Sequence, residues 1–362
     1  MEKKIALIVL VLFSQVHFGQ CGDRYQNEIF SSISISTVNY SDVYSDNAHM
    51  MDIYTADSDT FTNRPVIIFQ HGGSYYSGSK ESLECIEVCN YFAKRGYVAI
   101  SMNYRLVSPI NLTNFISSNI EQYKEVLKAT ADMKGAIRYM RKDAANGNNF
   151  GINPNSIFVG GFSSGAITAI HTAYLNSISD LPTTPVNAQG IANNLGGIEG
   201  DVGNLGYSSA VNGVINFAGG IHMLQWIDSN DAPIFSAQGT NDVTVNFNCG
   251  PGLNIPNVLE LCGLAKIHPI CDSLGINNQS LIFNNTDHLW SQNQFNQALD
   301  QSNSFLYPLL PCNNLSSFND FDKKRFLIKT INLLGQEASP KNNEPLFYIY
   351  NDGSVEKIIY IK

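Results

Sequence analysis

Charge is what this chain has least of. Only 15% of its residues are Asp, Glu, Lys or Arg, and the formal net charge is -9. With no Lys/Arg cluster suited to a polyanion, a nucleic-acid partner and an anionic membrane surface are both disfavoured. Long apolar runs are missing too. Ile5 to Phe13, behind Met1-Glu2-Lys3-Lys4, is too short to span a bilayer and reads as the h-region of a secretory signal peptide cleaved between His17 and Cys21. The sequence lacks a blade-like repeat, which excludes a propeller, and lacks any Cys/His spacing of a zinc site. Phe18-Gly19-Gln20 before Cys21 lacks the leucine and small residues of a lipoprotein signal, so lipidation is not expected.

What is present suits a large core. The 362 residues are 44% hydrophobic, enough for one α/β domain with end segments. In an exported chain, seven cysteines are read as disulfides first. Two bridges are expected among Cys249, Cys262, Cys271 and Cys312, with connectivity open. Cys85 and Cys89 are one helical turn apart, a spacing that rarely allows a mutual bond; buried thiols and pairing elsewhere compete evenly.

Along the chain, Ser31 to Tyr40 and His49 to Tyr54 alternate apolar and polar residues as opening antiparallel strands, and Pro65 to Gln70 is a continuous apolar run that suits a strand buried on both faces. A helix is expected from Glu81 to Arg95, a strand from Gly96 to Met102, and two helical stretches within Thr113 to Ala145, the second from Met133 to Arg141. Strands follow at 157–162, 211–220, 232–238 and 280–283, then a helix from Gln292 to Leu310. Strand and helix alternate, so the sheet is mainly parallel. Leu181 to Ser209, rich in Asn, Gly and Pro and without a period, is expected to cap a pocket. After Asn313 the character changes to a polar linker and short alternating runs about Asn351-Asp352-Gly353, a hairpin signal.

The chemistry centres on Gly161-Phe162-Ser163-Ser164-Gly165, where an apolar strand turns sharply into a helix. Small residues before and after the serine let strand and helix approach, and the turn lifts Ser163 Oγ to the helix N-terminus. Open α/β sheets bind ligands beyond the carboxyl ends of their strands. Asp242 and His288 follow later strands there, so Ser163 is a candidate nucleophile, His288 its general base and Asp242 the acid that orients the base. Asp287 is expected at the surface, and His171, His222 and His268 in packing or surface roles. The backbone amides of Gly72, Gly73 and Ser74, after another strand, with that of Ser164, form the candidate oxyanion hole. Tyr75, Tyr76, Trp226 and Trp290 are placed near the mouth, where they either stack on substrate or pack.

The order Ser163, Asp242, His288, the His71-Gly72-Gly73 loop and the Gly-x-Ser-x-Gly elbow resemble the α/β-hydrolase superfamily, among its carboxylesterases and lipases. The likeness covers about residues 35 to 312. It implies an α/β-hydrolase fold, a mostly parallel central sheet flanked by helices, and ester hydrolysis through an acyl-enzyme with no metal or organic cofactor. Ser74 stands where a third glycine is common. The last forty or so residues, Phe326 to Glu337 with Tyr348 to Lys362, resemble a C-terminal sorting domain of type IX secretion, which implies contact with that machinery and a secreted or cell-surface destination in a Gram-negative bacterium. The expected organisation is a signal peptide over 1–20, the catalytic domain over 21–312, a linker over 313–323 and a small β appendage over 324–362. Feruloyl esterases and polyester depolymerases are alternatives within the same chemistry. A serine peptidase is disfavoured by Ala166 after the elbow, and a non-catalytic hydrolase-like binding protein by the intact triad.

Overall fold

The computed structural model describes residues 21–311, 327–332, 336, 338, 345–350 and 355–359. The expected signal peptide, the 313–323 linker and Cys312 lie outside them. The chain divides into two compact units, Met1–Asn313 and Asn314–Lys362.

The first unit is built on an eight-stranded sheet in the order β1-β2-β4-β3-β5-β6-β7-β10. Its strands are β1 (Ile33–Asn39), β2 (Met50–Ala56), β3 (Arg64–Gln70), β4 (Val98–Met102), β5 (Ile152–Phe162), β6 (Val214–Phe217), β7 (Ile234–Gly239) and β10 (Asn278–Phe283). From β4 to β10 all neighbours are parallel; β1 and β2 run antiparallel to each other, and β2 runs antiparallel to β4. The central strands are buried along their full length, as their unbroken β-branched and aromatic runs dictate. Helices cover both faces: α1 (Leu83–Ala93), α2 (Leu112–Ser117), α3 (Asn119–Ala145), α4 (Ser164–Tyr174), α5 (Ala188–Asn194), α6 (Leu264–Leu274) and α7 (Gln292–Leu306). One apolar layer holds Ile68, Ile100, Met133, Ile137 and Ile170; the other holds Phe69, Phe92, Phe158, Phe217 and Leu306. Among the described residues no helix is long and apolar enough to cross a membrane.

Some expectations need correction. The helical region between β4 and β5 breaks at Ser118, not ahead of Met133. Ser118 is extended, and its side chain accepts from the Glu121 amide to cap α3, which then runs unbroken for 27 residues. Of the predicted bridges, Cys249 pairs with Cys262, but Cys271 is a buried free thiol in α6, so two bridges within that set do not form from it. Cys85 and Cys89 are buried thiols of α1, and Cys21 is itself disulfide-bonded.

The second unit is a three-stranded antiparallel sheet, β11 (Leu327–Ile331), β12 (Pro345–Tyr350) and β13 (Val355–Ile359), in that order. β8 (Cys249–Pro251) and β9 (Glu260–Cys262) form a two-stranded ribbon in the first unit.

Candidate active site

Ser163 sits where β5 hands over to α4, with φ 55° and ψ -120°, a conformation that side chains other than glycine rarely adopt. Its amide is held by the Phe217 carbonyl at 2.8 Å. The flanking glycines are dictated by contact. A Cβ on Gly165 would lie 2.0 Å from the Gln70 carbonyl oxygen, and one on Gly161 would lie 2.2 Å from the Gly165 carbonyl carbon. The elbow therefore closes only with glycine at both positions.

His288 follows β10 and Asp242 follows β7, and both reach Ser163. His288 Nε2 is 2.8 Å from Ser163 Oγ, and His288 Nδ1 is 2.8 Å from Asp242 Oδ2. Asp242 is buried, and its other oxygen accepts from the amides of Thr244 and Val245 at 2.9 and 3.0 Å. Those amides fix the carboxylate rotamer without supplying a formal charge. An aspartate bonding an amide two residues on is a local turn signal, so this support is legible in the sequence. Asp287 is exposed and caps the Leu289 amide, as expected of a surface residue.

The oxyanion loop departs from the prediction at one position. The Gly72 amide already donates to Glu84 Oε1 on α1 at 3.2 Å, so Gly72 is not a free donor. Among the described residues nothing accepts from the amides of Gly73, Ser74 or Ser164. Gly73, Ser74 and Tyr75 all have positive φ, a tight turn that bends this backbone over the elbow. His71 holds the turn from behind: burial drives its pKa down to about 4, so the neutral ring donates from Nδ1 to the Gly72 carbonyl at 2.6 Å. Tyr104, which sequence reasoning passed over, stacks on His71 and places its hydroxyl 3.3 Å from both the His71 carbonyl and Ser164 Oγ. Only the fold brings it there, since no local pattern around Tyr104 marks it.

A cavity of about 90 Å³ opens beside Ser163. Ser74, Ser164, Ile167, Tyr75 and Trp226 are among its walls, opposite Tyr123 of α3 and Leu253 and Leu259 of the 244–262 segment. The predicted cap or rim is not at this cavity, where Leu181 alone of residues 181–209 is a lining residue; Glu199 and residues 205–209 instead rim a second cavity beside α3 and α4. Of the four aromatics expected at the mouth, Tyr75 and Trp226 line it. Tyr76 is exposed, and Trp290 packs with Phe162, Phe217 and Phe283 behind His288. His171 and His222 also border the cavity. Burial lowers both pKa values, His171 to about 3, and the His222 amide donates to His171 Nε2. His268 is a packing residue of α6 bonded to Asn278.

The BD-FAE family model matches residues 51–226, which contain the oxyanion loop and the elbow. Juvenile hormone esterase of Heliothis virescens is 29% identical over 117 residues, 32% of this chain; the match spans 19% of that relative's length. Among solved structures, Thermogutta terrifontis esterase 2 phosphorylated by paraoxon is similar with a TM-score of 0.54 and 21% identity, over 75% of this chain and 93% of that one. A truncated carbohydrate esterase from gut microbiota is similar with a TM-score of 0.55 and 18% identity, over 77% and 97%. With a mostly parallel sheet flanked by helices, a strand–serine–helix elbow and these neighbours, the chain has the α/β-hydrolase fold.

Proposed function

We propose that the protein is a serine carboxylesterase in which Ser163 is the nucleophile, His288 the general base and Asp242 the orienting acid. The observation that carries this reading is the hydrogen-bonded line from Asp242 through His288 to Ser163, two links of 2.8 Å ending beside an apolar cavity. His288 Nε2 takes the Ser163 proton as Oγ attacks the ester carbonyl, and Asp242 stabilises the imidazolium that forms. Negative charge on the carbonyl oxygen falls to the amides of Ser164 and of Gly73 or Ser74, helped by the N-terminus of α4. The imidazolium then protonates the departing alcohol, leaving an acyl group on Ser163. Water, activated by the same imidazole, releases the acid.

The reading calls for no cofactor. Its test is hydrolysis of p-nitrophenyl esters beside peptide anilides. Ester turnover that vanishes in Ser163→Ala supports it, whereas anilide turnover at comparable kcat/KM would make the protein a peptidase. We further propose that the protein is exported, with residues 1–20 as the signal and 324–362 as a type IX sorting domain. Deleting 324–362 in the native host should then leave active enzyme in the periplasm, and unchanged export would refute the sorting role.

A further inference from the structure

The cavity beside Ser163 is shaped by one helix face. Ser163, Ser164, Ile167, His171 and Leu175 succeed one another at helical spacing along α4, and all line it. At ~1.5 Å of rise per residue the cavity extends about 12 Å from Ser163 to the level of His171. That length suits a medium-chain acyl group, but the volume does not. Scaled to the ~150 Å³ cavity that takes the six carbons of a benzene ring, about 90 Å³ holds roughly three or four heavy atoms beyond the carbonyl, which is about a butanoyl chain. A cavity of ~150 Å³ is the scale that takes one benzene ring, so an aromatic acyl group is larger than this space.

The narrowing comes from the wall opposite α4. Val245, Leu253, Val258, Leu259 and Leu261 of the 244–262 segment face the cavity. Since they point there, this segment has little core of its own. Its only strands are β8 and β9, three residues each, and Leu253 and Asn254 both sit at positive φ. A two-stranded ribbon that short is marginal in water. One of its strands is fixed to the body of the domain: Cys262 is buried and exchanges two backbone hydrogen bonds with Ile221, at 2.9 and 2.8 Å. β8 is attached to that fixed strand by the bond from Cys249 to Cys262, which are directly opposed in the ribbon, and by backbone bonds from the Gly263 amide to the Asn248 carbonyl at 2.7 Å and from the Gly252 amide to the Leu259 carbonyl at 3.1 Å. The tip is tied to α3 through Gln122, which accepts from the Leu259 amide at 3.0 Å and donates to the Asn257 carbonyl at 3.3 Å. Neither Cys249 nor Cys262 lines the cavity, so any influence of the bond on substrate passes through the wall it holds.

We propose that the Cys249–Cys262 cross-link acts as a size filter: by holding the 244–262 wall against α4 it restricts the acyl group to about the length of butanoyl. This rests on the esterase reading of Ser163. Cutting the cross-link leaves β8 on the backbone bonds of a ribbon too short to hold in water, so the wall loosens and the ~12 Å run along α4 becomes usable.

The experiment is a series of p-nitrophenyl acetate, butanoate, hexanoate and octanoate, with the leaving group held constant, on wild type, Cys249→Ala/Cys262→Ala and Leu253→Ala. Wild type should peak at butanoate and fall by about tenfold or more at octanoate, the scale on which pockets discriminate methylene groups. The double variant should raise the octanoate-to-butanoate ratio of kcat/KM by about tenfold, and Leu253→Ala should raise it in the same direction with the cross-link intact. A wild type that prefers octanoate overturns the proposal. So does an unchanged ratio in a double variant with a native circular-dichroism melt. If the double variant does not fold, an unchanged ratio in Leu253→Ala overturns it. No ester turnover, or turnover that survives Ser163→Ala, would instead sink the esterase reading.

Discussion

Residues 181–209 and 244–262 are similar as sequence and opposite as structure. Both are rich in Asn and Gly and neither has a period. The first is held against the body of the domain by cations of α3 and by Arg105, which follows β4. Lys134 Nζ donates to the Ile198 carbonyl, Arg138 donates to the carbonyls of Glu199 and Gly203, and Arg105 pairs with Asp201. Asn204 adds a bond to the Tyr40 carbonyl at 2.6 Å. The second is held by a disulfide, by Gln122, and at its root by the amides that Thr244 and Val245 give to Asp242. One is scaffold and the other is the wall of the site. An aperiodic segment settles wherever distant partners satisfy its backbone polar groups, and composition carries no record of those partners.

The contrast predicts which changes alter rate and which alter stability. The largest effect belongs at the root of the wall: Asp242→Asn should lower ester kcat by about a thousandfold or more with little change in Tm, because the neutral amide leaves His288 without its orienting charge. Steady-state kinetics beside a thermal melt checks it, and a folded variant with near-normal kcat would move the acid elsewhere.

The matching change in the scaffold is Glu199→Ala. Arg138 and Lys134 are nearly fully buried and share this carboxylate, so its loss leaves two cations with carbonyl partners only and should cost about 2 kcal/mol of stability, less than for a fully buried pair because Glu199 is half exposed. The kcat/KM on butanoate should stay as it was. Urea unfolding and ester kinetics on the same preparation test both halves, and a lost activity at unchanged stability would make 181–209 part of the site after all.

Titration gives a third, smaller contrast. On the cavity side, burial lowers the pKa of His171 to about 3 and also lowers that of His222; His71 behind the oxyanion loop is near 4. Because the unfolded chain takes up protons below about 6.5 and the folded rings resist doing so, the contribution of all three is full above 6.5 and is lost as pH falls toward their folded values. His49 on the scaffold side works the other way. Burial lowers its pKa, but Asp132 and Asp46 more than offset this and raise it, so its contribution is full below 6.5 and is lost as pH rises through the folded value. Thermal melts between pH 7.5 and 4.5 should therefore show acid loss in wild type, a shallower loss in His171→Gln and a steeper one in His49→Gln. Parallel curves for all three would contradict these assignments.

The smallest expected effect is at the tail. A chain ended at Ser317 should keep wild-type ester kinetics and lose no more than a degree or two of Tm, because the last residues form a compact unit separate from the first. Insolubility of the shortened chain would show that the tail sheet supports the catalytic unit.

How much of this was legible depended on range. The elbow was readable because sterics at Gly161, Ser163 and Gly165 are local, and a strand followed by a helix leaves few other uses for that pattern. The strand ends holding Asp242 and His288 were readable because apolar runs end abruptly in polar turns. Long-range facts were not. Gly72 looked like a donor until Glu84, from the next helix, was seen to occupy its amide. Met133 to Arg141 looked like a separate helix, yet it lies inside α3, where a Cβ on Gly135 would come within 2.4 Å of Val202. Cys271 looked available for pairing, but α6 buries its thiol.

The most direct test of the central claim is covalent. Incubating the folded protein with a fluorophosphonate and measuring intact mass, then mapping peptides, should give a single adduct on Ser163. Ser163→Ala should give none, and His288→Ala should react far more slowly, since the serine is activated only through its imidazole. No adduct on the folded wild-type protein, or one at any other serine, would contradict the account.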